Sequence, residues 1–229
     1  MNNPTLKPFP LNKKQDKIIQ KTKVFVKNKR KKEGSGHDWQ HVLRVLKNAI
    51  LIGENENIDM FIVQLAALLH DIADWKFHKG DENIGPQTAH KFLNELQIEI
   101  SVINHVCQII KNISFKGQNV KTEMQTKEGE VVQDADRLDA IGAIGIARTF
   151  AYGGFTKREI YNPEIKPQIH QTFEEYKNNQ NPTINHFYEK LLLLKNRMNT
   201  KTGRQIAQER HLFMEKFLNQ FYQEIEGKL

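Results

Sequence analysis

The apolar positions of this chain recur at helical spacing almost throughout. From Asn12 to Arg30, Ile18, Ile19, Thr22, Val26 and, less regularly, Phe25 form one stripe while lysines fill the other faces, which predicts an amphipathic helix. Gly34-Ser35-Gly36 interrupts the pattern. A second helix follows from about Asp38 to Ile52, with Val42, Val45, Leu46, Ala49 and Ile50 on one side and Gly53 as its expected C-cap. Asp59 is placed to cap a third, Met60 to about Ile72, which is apolar nearly all round and is therefore expected at the centre.

Further on, Pro86 to Leu96 fits a helix with proline near its start, and Ile100 to Ile113 fits another carrying Val102, Ile103, Val106, Ile109 and Ile110. A continuous helical pattern runs from about Thr122 to Phe150. Its Ala, Gly and Ile content allows close packing, at the propensity cost of Gly142 and Gly145. After Gly153-Gly154 a polar stretch with Pro163, Pro167 and Pro182 reads as an excursion. Two amphipathic helices, about Thr183 to Arg197 and about Arg204 to Glu226, close the chain. No segment alternates with period two, so the fold class is all-α.

Charge changes the picture only locally. Residues 1–33 hold eleven lysines and arginines against Asp16 and Glu33, a surplus of nine, so a total of +7 leaves the other 196 residues at −2. The basicity belongs to one segment, and a lysine run is usually the solvated face of a helix; nucleic acid is therefore not the expected partner. The expected organisation is a basic segment and helix, 1–33, packed on a single helical domain, 34–229. No apolar run approaches the roughly 20 residues that span a bilayer, and the first residues lack a signal-peptide pattern. Cys107 is the only cysteine and sits in an apolar helical stretch, where a buried thiol is expected. Together these give a cytoplasmic protein, a monomer or homodimer without a membrane partner.

The sharpest chemical feature is His70-Asp71, at the end of the apolar run Phe61 to Leu69. Adjacent helical side chains point about 100° apart, so both reach one cation only if it lies in the groove beside the helix, with further donors arriving from other helices. His41, at the edge of the stripe marked by Val42 and Val45, and Asp136, inside Gln133-Asp134-Ala135-Asp136-Arg137-Leu138-Asp139-Ala140, are the candidates. A set of two imidazoles and two carboxylates suits Mn²⁺, Fe²⁺, Ni²⁺, Zn²⁺, Co²⁺ or Mg²⁺. Taken singly, each residue is more often structural; the second His-Asp, His37-Asp38, reads as a helix start with Asp38 at the positive end of the dipole.

The joint pattern resembles the HD superfamily of metal-dependent phosphohydrolases, with its separate His, His-Asp pair and distant Asp. The segments Asp71-Ile72-Ala73-Asp74-Trp75-Lys76-Phe77-His78, Ala140 to Arg148, and His186-Phe187-Tyr188-Glu189-Lys190-Leu191-Leu192 are similar to those of its YedJ/YpgQ-type branch, and the likeness extends over about residues 20–226. It implies an HD-type helical bundle, one divalent ion held by His41, His70, Asp71 and Asp136, with Mn²⁺ favoured for activity, and hydrolysis of a nucleotide, foremost a (d)NTP to a (d)NMP plus diphosphate. A phosphomonoesterase on nucleoside monophosphates and a non-catalytic nucleotide-binding regulator are the alternatives.

Asp74, three residues after Asp71, faces nearly the same side and is the candidate general base or water-orienting group; a cap or a salt bridge to Lys76 is its structural alternative. Lys76, His78, Lys79, Arg44 and Arg148 are candidate phosphate contacts, because a polyphosphate needs several fixed cations. Arg137 is expected to be structural. Tyr152 and Phe155 are expected in the core, with base stacking as the other option. His105 and His211 have no assigned role.

Overall fold

The computed structural model describes residues 11–30, 38–73, 83–113, 122–168, 175 and 179–229. Among these the regular structure is entirely helical: α1 (Lys13–Lys29), α2 (Trp39–Gly53), α3 (Met60–Leu69), α4 (Ile84–Glu95), α5 (Ile100–Asn112), α6 (Lys127–Asp139), α7 (Gly142–Phe155), α8 (Asn185–Glu189), a 3-10 helix (Leu191–Arg197) and α9 (Lys201–Ile225). No described helix is long and apolar enough to cross a membrane. The described residues form two compact units. One runs through α1 to α5 and α6 as far as Asp136; the other takes in Arg137 to Leu229.

In the first unit α3 is central, as its sequence predicts. Every residue of α3 except Gln64 is buried, and α1, α2 and α5 pack on it. Truncating a fully buried Leu68 or Leu69 would cost about 2–5 kcal/mol, so this helix is the least replaceable part of the unit. Asp59 caps α3 by accepting the Phe61 and Ile62 amides at 2.8 and 3.4 Å. Helix α1 buries Ile18, Ile19, Thr22 and Val26, and Phe25 stacks on Phe92 of α4 with ring centroids 3.9 Å apart. Its lysines at 13, 14, 17, 21, 27 and 29 are exposed, the solvated face read from the charge run. Asn12 and Gln15 close a capping box at its start.

Gly53 departs from expectation. It is the last residue of α2 rather than a left-handed cap, and it is buried where a Cβ would meet Met60 Cε at 2.9 Å. Glycine is there for close packing against the start of α3, not for backbone freedom. Cys107 is half-buried, with its thiol donating to the Pro86 carbonyl at 3.3 Å and its pKa raised by burial.

Two further expectations are corrected. The single helical run from Thr122 to Phe150 is two helices, broken at Ala140-Ile141, with Gly142 at φ +75°, a left-handed conformation that glycine adopts without steric cost. The expected helix from Thr183 to Arg197 is the short α8 followed by a 3-10 helix, separated at Lys190 (φ −143°, ψ −59°). There Glu189 is buried and tied to the excursion: it accepts from the Gln168 amide at 3.1 Å and from the Asn179 and Asn181 side chains at 2.6 and 2.7 Å. That tertiary tie accompanies a loss of helical regularity that periodicity alone does not announce. In the second unit α9 packs on α7, and Phe150, Phe187 and Phe217 form an aromatic cluster with centroids 5.8–6.1 Å apart.

Candidate metal centre

Three helices of the first unit deliver the candidate donors. His41 lies in the first turn of α2, where Asp38 fixes the backbone by accepting the His41 amide at 2.9 Å; Asp38 is thus the cap its position near the dipole predicted. His70 is the C-cap residue of α3, and Asp71 begins the turn that follows. Asp136 projects from α6, one turn before that helix ends.

These side chains meet. His41 Nε2 is 3.1 Å from His70 Nε2 and 3.3 Å from Asp71 Oδ2, and His70 Nε2 is 3.5 Å from the same oxygen. The three donor atoms all lie within 4.8 Å of one another. Asp136 Oδ1 stands slightly farther off, at 3.6 and 3.8 Å from the two imidazole nitrogens. The imidazoles are 0% and 1% exposed and the carboxylates of Asp71 and Asp136 are 21% and 32% exposed. Nitrogen therefore forms the buried floor of the cluster, and oxygen its accessible rim.

The tautomer of His70 follows from its second ring nitrogen. Nδ1 lies 2.8 Å from the Ala67 carbonyl, an acceptor only, so Nδ1 carries the proton and Nε2 turns a lone pair toward His41, Asp71 and Asp136. One proton on His41 Nε2 can serve one of its three acceptor neighbours well. A dication meets all of them: donors bound at about 2.1 Å lie about 3.0 Å apart at right angles and about 3.4 Å apart at tetrahedral angles, close to the 3.1, 3.3 and 3.5 Å between His41, His70 and Asp71. The donor set thus fits a divalent cation. The Ala67 carbonyl is a supporting group that sequence reasoning missed, because a backbone atom leaves no residue-type signal.

The HD domain family model matches residues 38–141. Bacillus subtilis (strain 168) YpgQ is 37% identical over 222 residues, covering 93% of this chain and 97% of YpgQ. This chain belongs to the HD-domain phosphohydrolase superfamily. All four clustered residues of the HD domain fall inside the matched span. Solved relatives agree over nearly the whole HD-domain chain. YpgQ in complex with ADP superposes with a TM-score of 0.71 at 35% identity, covering 91% of this chain and 98% of its own. An HD-superfamily hydrolase from Bacillus thuringiensis gives 0.72 at 44% identity, covering 93% and 98%. A Lactobacillus plantarum protein gives 0.82 at 33% identity, covering 95% and 100%.

The remaining candidates of this HD-domain protein fall in different places. Asp74, Lys76, His78 and Lys79 lie outside the described residues. Arg44 is half-buried on α2, three residues after His41. In the second unit Arg148 Nη1 pairs with Asp139 Oδ2 at 2.7 Å. Arg137, for which pairing with a neighbouring carboxylate was expected, is buried and donates to the Arg197 carbonyl. Tyr152 and Phe155 are not core residues: they are 39% and 65% exposed, and the Arg158 guanidinium lies 5.7 Å from the Tyr152 ring centroid. They occupy the outer side of α7, whose buried side is supplied by Gly142, Gly145, Ile146 and Gly153. His105 bonds the Thr126 hydroxyl at 2.8 Å, and His211 is buried beside Glu215 at 3.3 Å.

Proposed function

We propose that this protein is a metal-dependent nucleotide phosphohydrolase that cleaves a (d)NTP to a (d)NMP and diphosphate. One observation carries the reading: two buried imidazoles stand 3.1 Å apart, with the partly open carboxylates of Asp71 and Asp136 3.3–3.8 Å from their nitrogens. The ADP complex of YpgQ supports a nucleotide as ligand. His41, His70, Asp71 and Asp136 would hold one divalent ion, Mn²⁺ being the metal favoured for activity. Such an ion supplies charge neutralisation at phosphorus and a lowered pKa for water.

The chain's own groups do the rest. The buried imidazoles give a dry floor, so a phosphate approaches from the carboxylate side. Asp74 is assigned as the base that takes the proton of the attacking water while the bond from the α-phosphorus to the bridging oxygen breaks and diphosphate departs. Lys76, His78, Lys79 and Arg44 are assigned to the phosphate oxygens. Arg148, in the second unit, is held by Asp139 through the same guanidinium. The domain 34–229 carries the reaction, and the segment 1–33 supports it through the apolar face of α1.

A panel of nucleotides with Mn²⁺, resolving diphosphate from orthophosphate, tests this. Diphosphate and a monophosphate in equal amounts are expected from at least one triphosphate, and Asp74→Asn should keep metal binding while losing turnover. Orthophosphate released from nucleoside monophosphates, with triphosphates untouched, would establish the monoesterase instead.

A further inference from the structure

The donors come from three helices, so the cluster exists only if those helices keep their register. Helix α6, which brings Asp136, is tied to the other two by side-chain bonds to backbone. Asn48 on α2 donates from Nδ2 to the Ala135 carbonyl at 3.3 Å, the residue immediately before Asp136. Seven residues separate Asn48 from His41, two helical turns, so both lie on one face of α2. At the other end of α6, Glu128 Oε1 accepts the Asp59 amide at 2.9 Å, and Asp59 is itself the cap of α3, the helix that ends in His70 and Asp71. Glu128 is only 16% exposed; its second oxygen faces His105 of α5 at 3.8 Å, and His105 also bonds Thr126, whose hydroxyl accepts the Gly129 amide at the start of α6.

We infer that Asn48 and Glu128 are positioning residues for the metal centre: together they clamp α6 at two points, one to the helix carrying His41 and one to the helix carrying His70-Asp71, and so set where the Asp136 carboxylate stands. The two ties are about 10 Å apart along the helix axis, enough to fix both its shift and its tilt. Helix sliding by one residue would turn Asp136 about 100° away from the imidazoles. The inference rests on the metal-site reading above.

The test titrates Mn²⁺ alone into the chelator-stripped full chain and follows the melting temperature of the metal-free protein in parallel. Asn48→Leu and Glu128→Leu, which keep bulk and remove the bond, are expected to weaken Mn²⁺ binding about tenfold or more, the usual size for groups that orient ligands. Glu128→Gln keeps an accepting oxygen and should bind within about twofold of the wild type. Val26→Ala, a buried α1 change that removes neither bond, should lower the melting temperature without lowering affinity. Wild-type affinity in both leucine variants, or an equal loss in Val26→Ala at equal melting temperature, overturns the inference. If Asn48→Leu does not fold, the contrast between Glu128→Leu and Glu128→Gln decides. A wild type that binds no Mn²⁺ instead removes the metal reading itself.

Discussion

Two polar clusters, one in each unit, make opposite use of buried charge. In the first unit the lone pair of His70 Nε2 and the Asp71 and Asp136 oxygens, all acceptors, gather around the His41 nitrogen. In the second, arginines meet carbonyls and a carboxylate. Arg148 pairs with Asp139 at 2.7 Å, and Arg210 donates to the Leu138 carbonyl at 2.5 Å. Burial lowers the pKa of Arg210, and the nearby Asp139 charge works against that shift. The second cluster completes itself, as buried polar groups in a stable fold do. The first gathers like groups, which is how a protein prepares for a cation from outside. Buried polar groups therefore satisfy one another in one place and converge on a common point in the other.

The largest expected effect separates the two directly. His70→Ala should abolish tight Mn²⁺ binding and lower turnover by roughly a thousandfold, while the metal-free protein stays folded; calorimetric titration and product assays read both. Next, Mn²⁺ at about a hundred times its dissociation constant should stabilise the wild type by about 2.7 kcal/mol over the chelated protein, and His70→Ala should show none of this in denaturant melts. Arg148→Ala should cost about 1.5–3 kcal/mol of stability, because it removes a charge-assisted hydrogen bond from a nearly buried Asp139, with Mn²⁺ affinity unchanged. A raised KM without loss of stability would instead place Arg148 on the substrate. The smallest effect belongs to Asp38→Ala, about 1 kcal/mol from the lost cap, seen as a lower midpoint in urea.

What the sequence disclosed depended on whether the physics is periodic or local. The all-round apolar character of Met60 to Leu69 marks a central helix, and the caps at Asp38 and Asp59 can be read from residue type and place. The meeting of His41, His70, Asp71 and Asp136 was legible only as a joint pattern, through its resemblance to the HD superfamily, since each residue taken singly is more often structural. The break before Gly142 was hidden because Ala, Gly and Ile on either side continue one helical rhythm, and only the backbone shows the left-handed turn. The irregular stretch around Glu189 was hidden because its partners lie 8 to 21 residues away. Asn48 and Glu128 were silent for a related reason: each bonds a backbone atom, so no partner side chain advertises the tie.

The contact between the His70 ring and the Ala67 oxygen also explains why the His-Asp pair belongs where α3 stops. The last four carbonyls of a helix have no amide waiting for them, and Ala67 contributes one of these spare acceptors to the imidazole. Were α3 to continue for another turn, that oxygen would be claimed by a peptide N–H four residues on, and the ring would be free to swivel. The stop signal is thus a part of what holds the His70 ring in place, and inserting helix-forming residues after Leu69 would release that ring without substituting any of the four clustered side chains.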